Sequence, residues 1–238
     1  MDLKEQEILG DQIDSHWYYA SKVKALRASI KGLNTDLVLD VGAGSGFFSN
    51  YLLANDLANS AVCVDTGYAA DRIETVAGKK ISFVKSCDDL DADLVLLMDV
   101  LEHVDDDSAL LRQYRQKVPV GCHFLITVPA FNWLWSAHDE FLEHRRRYTA
   151  KRLVAAIEQA GLEPLDSYYY FGAVLPIAAG VRLLQNMRKG PVDGESSGLK
   201  RHSALVNGLL KGLCTAELPF LRANHIGGLS VFALAEKK

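Results

Sequence analysis

The sequence has little that fixes a fold or a partner by composition alone. Its four cysteines (Cys63, Cys87, Cys122, Cys214) form no Cys-x-x-Cys pair. Each lies in an apolar or strand-like context, so they read as buried thiols of a reducing compartment rather than as a disulfide framework or a zinc site. Basic charge is in deficit, with 26 Lys and Arg against 30 Asp and Glu and a formal net charge of −4. A nucleic-acid partner held by phosphate neutralisation wants a basic face, so that class is disfavoured; the one dense basic cluster is Arg145-Arg146-Arg147. No uninterrupted apolar run reaches bilayer-spanning length. The acidic opening MDLKEQEILGDQ lacks the apolar segment of a secretory signal, and the expectation is a cytoplasmic protein. No internal repeat is visible. With 49% hydrophobic and 24% charged residues, 238 residues suffice for one α/β domain with additions.

What is present is concentrated first in Leu37 to Asn50, LVLDVGAGSGFFSN. Leu37, Val38, Leu39 and Val41 around Asp40 read as a buried parallel strand that runs into Gly42, Gly44 and Gly46. A chain turning from strand to helix visits positive φ, and a side chain there would keep a ligand from the backbone. The first N–H groups of a helix starting near Phe47 can then hold a polar or anionic ligand. The spacing is G-x-G-x-G, with Phe47 where a dinucleotide fingerprint has its third glycine, and no G-x-x-x-x-G-K-[ST] occurs. A second apolar run, Ala61 to Val64, closes on Asp65, a carboxylate placed for ribose hydroxyls; the competing reading is a cap for a helix near Gly67. A third run, Asp93 to Met98, ends at Asp99 and continues DVLEHVDDD.

DVGAGSG, VCVD and DLVLLMDVLEHVDD, in that order and spacing, resemble the class I S-adenosylmethionine (SAM)-dependent methyltransferases, over about Leu37 to Pro129. The resemblance implies an α/β, Rossmann-like, seven-stranded, mostly parallel sheet with an antiparallel last strand, and an α-helical insertion before that strand. It divides the chain into an N-terminal helical cap (1–33), a core (34–171), a helical insertion or lid (172–227) and the last strand (228–238). SAM is the implied cofactor, with contacts from Asp40, Gly42, Ala43, Gly44 and Gly46 in the loop, Asp65 and Thr66 after the second strand, and Asp99 and Val100 after the fourth. Asp88, with Asp89 nearly equivalent, is the expected partner of the adenine amino group. His16 and Lys22, in the cluster HWYYASK, are expected near the SAM carboxylate.

Between the expected fifth strand (His123 to Val128) and a helix from Thr149 to Ala160 lies AFNWLWSAHDEFLEHRRRYT. It is too rich in aromatic, His and acidic residues for a plain connection. Trp135, Asp139, Arg146, Arg147 and Tyr148 are candidate acceptor contacts, the arginines able to fork onto a phosphate or carboxylate or else to form a basic surface turn. His138, His144 and His103 are candidate bases, His138 first. The types of His138, Asp139 and His144 suit Mg²⁺ or Zn²⁺, but no i, i+4 helical pairing supports a metal, and none is expected. Glu102, behind Asp99 at the edge where cofactor and substrate would meet, reads either as a site residue or as a solvated helix start; Tyr68 to Val76 reads as a helix, and Asp105-Asp106-Asp107 as a helix N-terminus favoured by the dipole.

Ala173 to Leu184 and Ser203 to Cys214 are apolar helical stretches joined by a Gly- and Ser-rich link, Lys189 to Gly198. They leave open a lid, a homodimer interface or peripheral membrane contact beside a lipid-linked acceptor; Arg182, Arg188, Lys189, Lys200, Arg201 and Lys211 flank them. The reading is methyl transfer to a small-molecule, lipid-linked or saccharide acceptor, O-methylation first. A nucleic-acid or protein methyltransferase, a non-catalytic SAM-binding module and a nicotinamide oxidoreductase are the rivals.

Overall fold

In a computed structural model, which describes residues 10–187 and 203–238, the apolar runs become an eight-stranded sheet in the order β3-β4-β2-β1-β5-β6-β8-β7. The strands are β1 (Leu37–Val41), β2 (Ser60–Val64), β3 (Arg72–Val76), β4 (Lys79–Val84), β5 (Leu94–Met98), β6 (His123–Pro129), β7 (Glu163–Tyr170) and β8 (Ser230–Glu236). From β4 to β6 all pairings are parallel, with Val38 beside Ala61 on one side and Leu94 on the other. β8 enters antiparallel between β6 and β7.

The helices are α1 (Trp17–Ser29), α2 (Phe47–Ala54), α3 (Asp107–Lys117), α4 (Ala137–Phe141), α5 (Ala150–Gln159), α6 (Leu175–Met187) and α7 (Ala204–Glu217). Crossovers between parallel strands put helices on both faces, so the central strands are apolar on both sides. Val38, Leu94, Leu96 and Phe232 bury against Tyr19, Leu26, Phe48 and Leu52 of α1 and α2. Leu39, Val95, Leu97 and Ile126 face the other way, onto Leu111, Tyr114, Leu153 and Ile157 of α3 and α5. Local chemistry starts both of the latter helices: Asp106 accepts from Ala109 N at 2.8 Å, and Thr149 accepts from Arg152 N at 3.3 Å.

Seven strands are where the sequence puts them, and the eighth is a correction. Tyr68 to Val76 is not a helix: Arg72–Val76 pairs antiparallel with β4, with Val76 opposite Lys79. Ala77 (φ 50°) and Gly78 (φ 80°) are both left-handed, the two-residue turn whose twist matches a hairpin. Arg72 lies 3.7 Å over the Phe83 ring it opposes.

The apolar additions dock from the other end of the chain. Asn207 of α7 accepts from Trp17 N at 2.7 Å and donates to Ser15 O at 2.9 Å, while Tyr170 Oη donates to Cys214 O at 3.1 Å. The opposite side of α7 exposes Leu205, Val206 and Leu209. α7 runs on into a 3-10 turn, so Ala204–Ala223 forms a 20-residue helical run, interrupted by Lys211, Glu217 and Arg222, whose most apolar 18-residue window has a mean hydropathy of 1.2 and is 11% buried; by length and composition alone it is long and apolar enough to cross a bilayer. The expected link, Lys189 to Gly198, lies outside the described residues, as does the start of the expected N-terminal helix at Leu3.

Gly228 lets β8 reach β7, because a Cβ there would overlap the Tyr170 carbonyl. Gly228→Ala is therefore expected to destabilise the fold by about 3 kcal/mol, the upper range for overpacking, read as a lowered denaturant midpoint; an unchanged midpoint contradicts this packing.

Candidate functional site

The carboxyl ends of the parallel strands form one edge, where open α/β sheets bind ligands. Three non-glycine residues just beyond these ends have left-handed backbones: Asp99 (φ 57°) after β5, Phe131 (φ 57°) after β6 and Phe171 (φ 65°) after β7. Each such residue costs of order 1 kcal/mol, and the surrounding contacts hold it there.

At the end of β1 the glycine loop is pinned to β2, Gly42 N and Ala43 N donating to Val64 O at 2.8 and 3.2 Å. Gly42, Gly44 and Gly46 have φ of 65°, 53° and 73°. For two of these glycines packing supplies a reason beside the ligand clearance expected from the sequence. A Cβ on Gly42 would meet Val100 Cγ2 at 2.7 Å, and one on Gly46 would meet Phe83 Cε1 at 2.7 Å. Val100 thus packs on the loop. Asp65 is held by the loop it faces: Oδ2 accepts from Gly44 N at 3.0 Å and Oδ1 from Gly67 N at 2.8 Å. No helix follows Gly67, so the helix-cap alternative falls; the Tyr68 hydroxyl instead donates to Gly44 O at 2.6 Å. Thr66, Asp88 and Asp89 are exposed in the loops after β2 and β4.

Asp40 is buried within β1 and accepts from Ser49 Oγ at 2.8 Å. Desolvation pushes its pKa up from 3.8 to about 6, against the Ser49 hydrogen bond. It sits under the glycine loop as a support for α2.

Lys22 is a correction. Expected at the cofactor carboxylate, it is 0% exposed and its ammonium is paired with Asp99 and hydrogen-bonded to Tyr18 Oη at 3.0 Å. Burial opposes its charge, yet Asp99 and Tyr18 outweigh burial and hold its pKa above the ordinary value. Burial likewise works against the Asp99 charge, and Lys22 outweighs it, with help from the Thr127 hydroxyl at 3.1 Å, so that carboxyl lies below its ordinary range. The pair ties α1 to the end of β5. His16 is buried at the N-terminus of α1, its ring 5.9 Å from Trp17 and 6.4 Å from Tyr19. Tyr18 stacks on Phe171 at 5.1 Å.

The segment after β6 departs most from expectation. Asp139 and Arg147, read as acceptor contacts, are buried and bind each other: Arg147 Nε and Nη2 donate to Asp139 at 2.6 and 2.9 Å. Asp139 also accepts from Ser136 N at 2.9 Å and meets His144 Nδ1 at 2.9 Å. Burial would raise its pKa, but His144 and Arg147 hold it far below the carboxylate range. Tyr148, another expected contact, is fully buried, donating to Leu101 O at 3.1 Å and Asp107 Oδ2 at 2.8 Å. Arg146 donates to Val104 O and Asp105 O, each at 2.8 Å, and Arg145 to His103 O at 2.7 Å. Arg145 and Arg146 therefore fasten the 140s segment to the turn after β5, while Arg147 ties it to Asp139 and to Ala130 O. Of the expected set, Trp135 and Arg146 line an open hollow of about 670 Å³ with Asn132, Arg145 and Arg152. His138 is half-buried on α4.

Of the two readings the sequence left open for Glu102, burial removes one. It is no solvated helix start: it is 0% exposed, and neither carboxylate oxygen has a hydrogen-bond partner. Burial, then the Asp99 charge, drives its pKa well above the ordinary value. Its neighbour His103 stands edge-on to His144, ring centroids 4.8 Å apart. The adjacency of Glu102 and His103 is printed in the sequence, but their distance from His144 is not.

Two outcomes follow. Lys22→Met leaves Asp99 without its cation and is expected to lower stability by about 3 kcal/mol, with Lys22→Met/Asp99→Asn recovering part of that in denaturant titrations; a double variant no more stable than the single one contradicts the pairing. Asp40 binds its proton more tightly folded than unfolded, so its contribution is fully present below about pH 3.8 and declines until about pH 6. Asp40→Asn should flatten that decline, a difference approaching about 3 kcal/mol at neutral pH, measured as unfolding free energy against pH.

Comparison with known proteins agrees with this geometry. A family model described as a methyltransferase domain matches residues 17–167. No curated protein matches by sequence. Among solved structures, a chain from the complex of the Haloferax volcanii Trm112 methyltransferase activator with a methyltransferase is similar at TM-score 0.58 and 16% identity, covering 98% of this chain and 95% of that one. An Archaeoglobus fulgidus SAM-dependent methyltransferase is similar at 0.53 and 16%, covering 99% and 98%. Haemonchus contortus phosphoethanolamine N-methyltransferase 2 is similar at 0.56 and 14%, covering 98% and 55%. With the glycine loop, the carboxylate closing β2 and a family match over well more than half its length, this chain belongs to the methyltransferase-domain family and is a class I SAM-dependent methyltransferase.

Proposed function

We propose that the enzyme methylates a hydroxyl of a small-molecule, lipid-linked or saccharide acceptor, with the acceptor proton leaving through the Glu102, His103 and His144 cluster. The observation that carries this is the Asp139 carboxylate on His144 Nδ1: it fixes one ring nitrogen as donor and leaves the other, Nε2, as a base or ligand atom. His144 and His103 lie beside the end of β5, and Arg145, which donates to the His103 carbonyl, is on the rim of the Trp135 hollow. Proton handling and acceptor space are thus adjacent. The glycine loop and Asp65 are the proposed grip on the adenosyl group and its ribose.

Transfer is an in-line displacement, so alignment of two bound molecules is most of the task. The open hollow is polar and cationic, which suits an oxygen-rich or anionic acceptor. The apolar side of α7, with Leu205 at 84% exposure and Leu209 at 64%, supports a lipid-linked one and peripheral contact with a membrane.

Methyl transfer from labelled SAM into hydroxyl-bearing small molecules, saccharides and extracted lipids tests this. His144→Ala is expected to lose about 10²–10⁴-fold in rate at unchanged SAM affinity, and His138→Ala less than about tenfold. Label appearing on nitrogen of nucleic acid or protein, or the large loss falling on His138→Ala, contradicts the proposal.

A further inference from the structure

We propose that Glu102, His103 and His144 form a binding site for one divalent first-row transition ion, with Asp139 positioning His144. Among the described residues, one carboxylate oxygen and one ring nitrogen from each histidine lie within 4.8 Å of one another. Modest side-chain rotations bring such a set to the roughly 2.0–2.2 Å that nitrogen and carboxylate ligands take around zinc.

The independent observation is Glu102 itself. A carboxylate with no solvent access and no donor on either oxygen carries a large desolvation penalty, and buried charges are ordinarily paired or bound to a metal. Arg145, Arg146 and Arg147, in the segment fastened to this turn, are directed to Asp105, to backbone carbonyls and to Asp139 instead. A cation between Glu102 and the two histidines supplies the missing partner.

The surroundings are those of a ligand shell. A metal-bound imidazole usually gives its other N–H to a carboxylate, which fixes the ring, and His144 Nδ1 meets Asp139 Oδ1 at 2.9 Å. Asp139 is in turn held by the Arg147 fork and by Ser136. The turn carrying Glu102 and His103 is fastened to the segment carrying His144, Arg145 N donating to Glu102 O at 2.8 Å and Arg145 Nε to His103 O at 2.7 Å. The two halves of the site therefore cannot drift apart freely. This is not the His138, Asp139 and His144 set, for which the sequence leads to no metal and in which Asp139 is enclosed by Arg147.

Two imidazoles and one carboxylate leave coordination positions open, the pattern of reactive rather than structural sites. The catalytic consequence rests on the O-methylation reading; binding of the ion does not. With the ion bound, the cluster would act on the acceptor proton through the metal rather than through a free imidazole: a hydroxyl on an open position would be acidified and release its proton to water. The oxygen would then form a bond to the methyl carbon as the carbon–sulfur bond breaks, both electrons staying on sulfur, giving the methyl ether and S-adenosylhomocysteine.

The test is Co²⁺ titration of the chelator-stripped, full-length protein, followed by visible absorption and competed with Zn²⁺. One equivalent with ligand-field bands of a nitrogen- and oxygen-bound ion is expected, lost in His103→Ala and Glu102→Gln and kept in His138→Ala, with circular dichroism and S-adenosylhomocysteine affinity unchanged throughout. Asp139→Asn is expected to weaken the ion about 10–100-fold. No stoichiometric binding, or binding that survives both His103→Ala and Glu102→Gln, overturns the site. Methyl transfer that continues in a protein binding no Co²⁺ overturns the metal and leaves the function standing; stoichiometric Co²⁺ with no transfer to any hydroxyl does the reverse.

Discussion

The buried ion pair between Lys22 and Asp99 is the constraint on which the site depends. It joins the N-terminal helix to the carboxyl end of β5, two segments 77 residues apart. Neither charge is tolerable there alone. Together they fix α1 across the ligand-binding edge and stack Tyr18 on Phe171. The same carboxylate sets the electrostatics next door, since the negative charge on Asp99 is one reason Glu102 resists ionising.

The edge is built from close approaches. Val100 fills the place a side chain on Gly42 would take, and Phe83 does so at Gly46, so the glycine loop is drawn tight against β4 and β5. Asp65 closes the far side by accepting two backbone N–H groups, from Gly44 and Gly67. A loop held this way is rigid before any ligand arrives, and preorganisation of that kind lowers the ordering cost of binding. On the acceptor side, Arg145 and Arg146 lock the 140s segment to the turn after β5, and Asp139 with Arg147 braces that segment internally.

Much of the fold was legible because the signals are local. Apolar runs ending in glycines or a carboxylate mark β1, β2 and β5, and Asp106 and Thr149 announce their helices. β3 was missed because Arg72-Ile-Glu-Thr-Val76 is exposed on an edge and shows no buried alternation; the Ala77-Gly78 turn was the available clue. The 140s residues were recognised as important but assigned to the wrong partners, since a row of arginines looks alike whether it faces a ligand or a neighbouring carboxylate. Glu102 could not be decided between a site residue and a solvated helix start: its burial depends on tertiary packing, and an acidic residue in Leu-Glu-His-Val is by itself unremarkable.

The central proposal is that the donor lies against the glycine loop with its ribose on the Asp65 carboxylate, beneath α1. A crystal structure with S-adenosylhomocysteine tests it most directly. The account predicts both ribose hydroxyls within hydrogen-bond distance of the Asp65 carboxylate and the adenosyl group against Gly42 to Gly46. An adenosyl group lodged elsewhere on the sheet, with the Asp65 carboxylate making no contact to it, would contradict it.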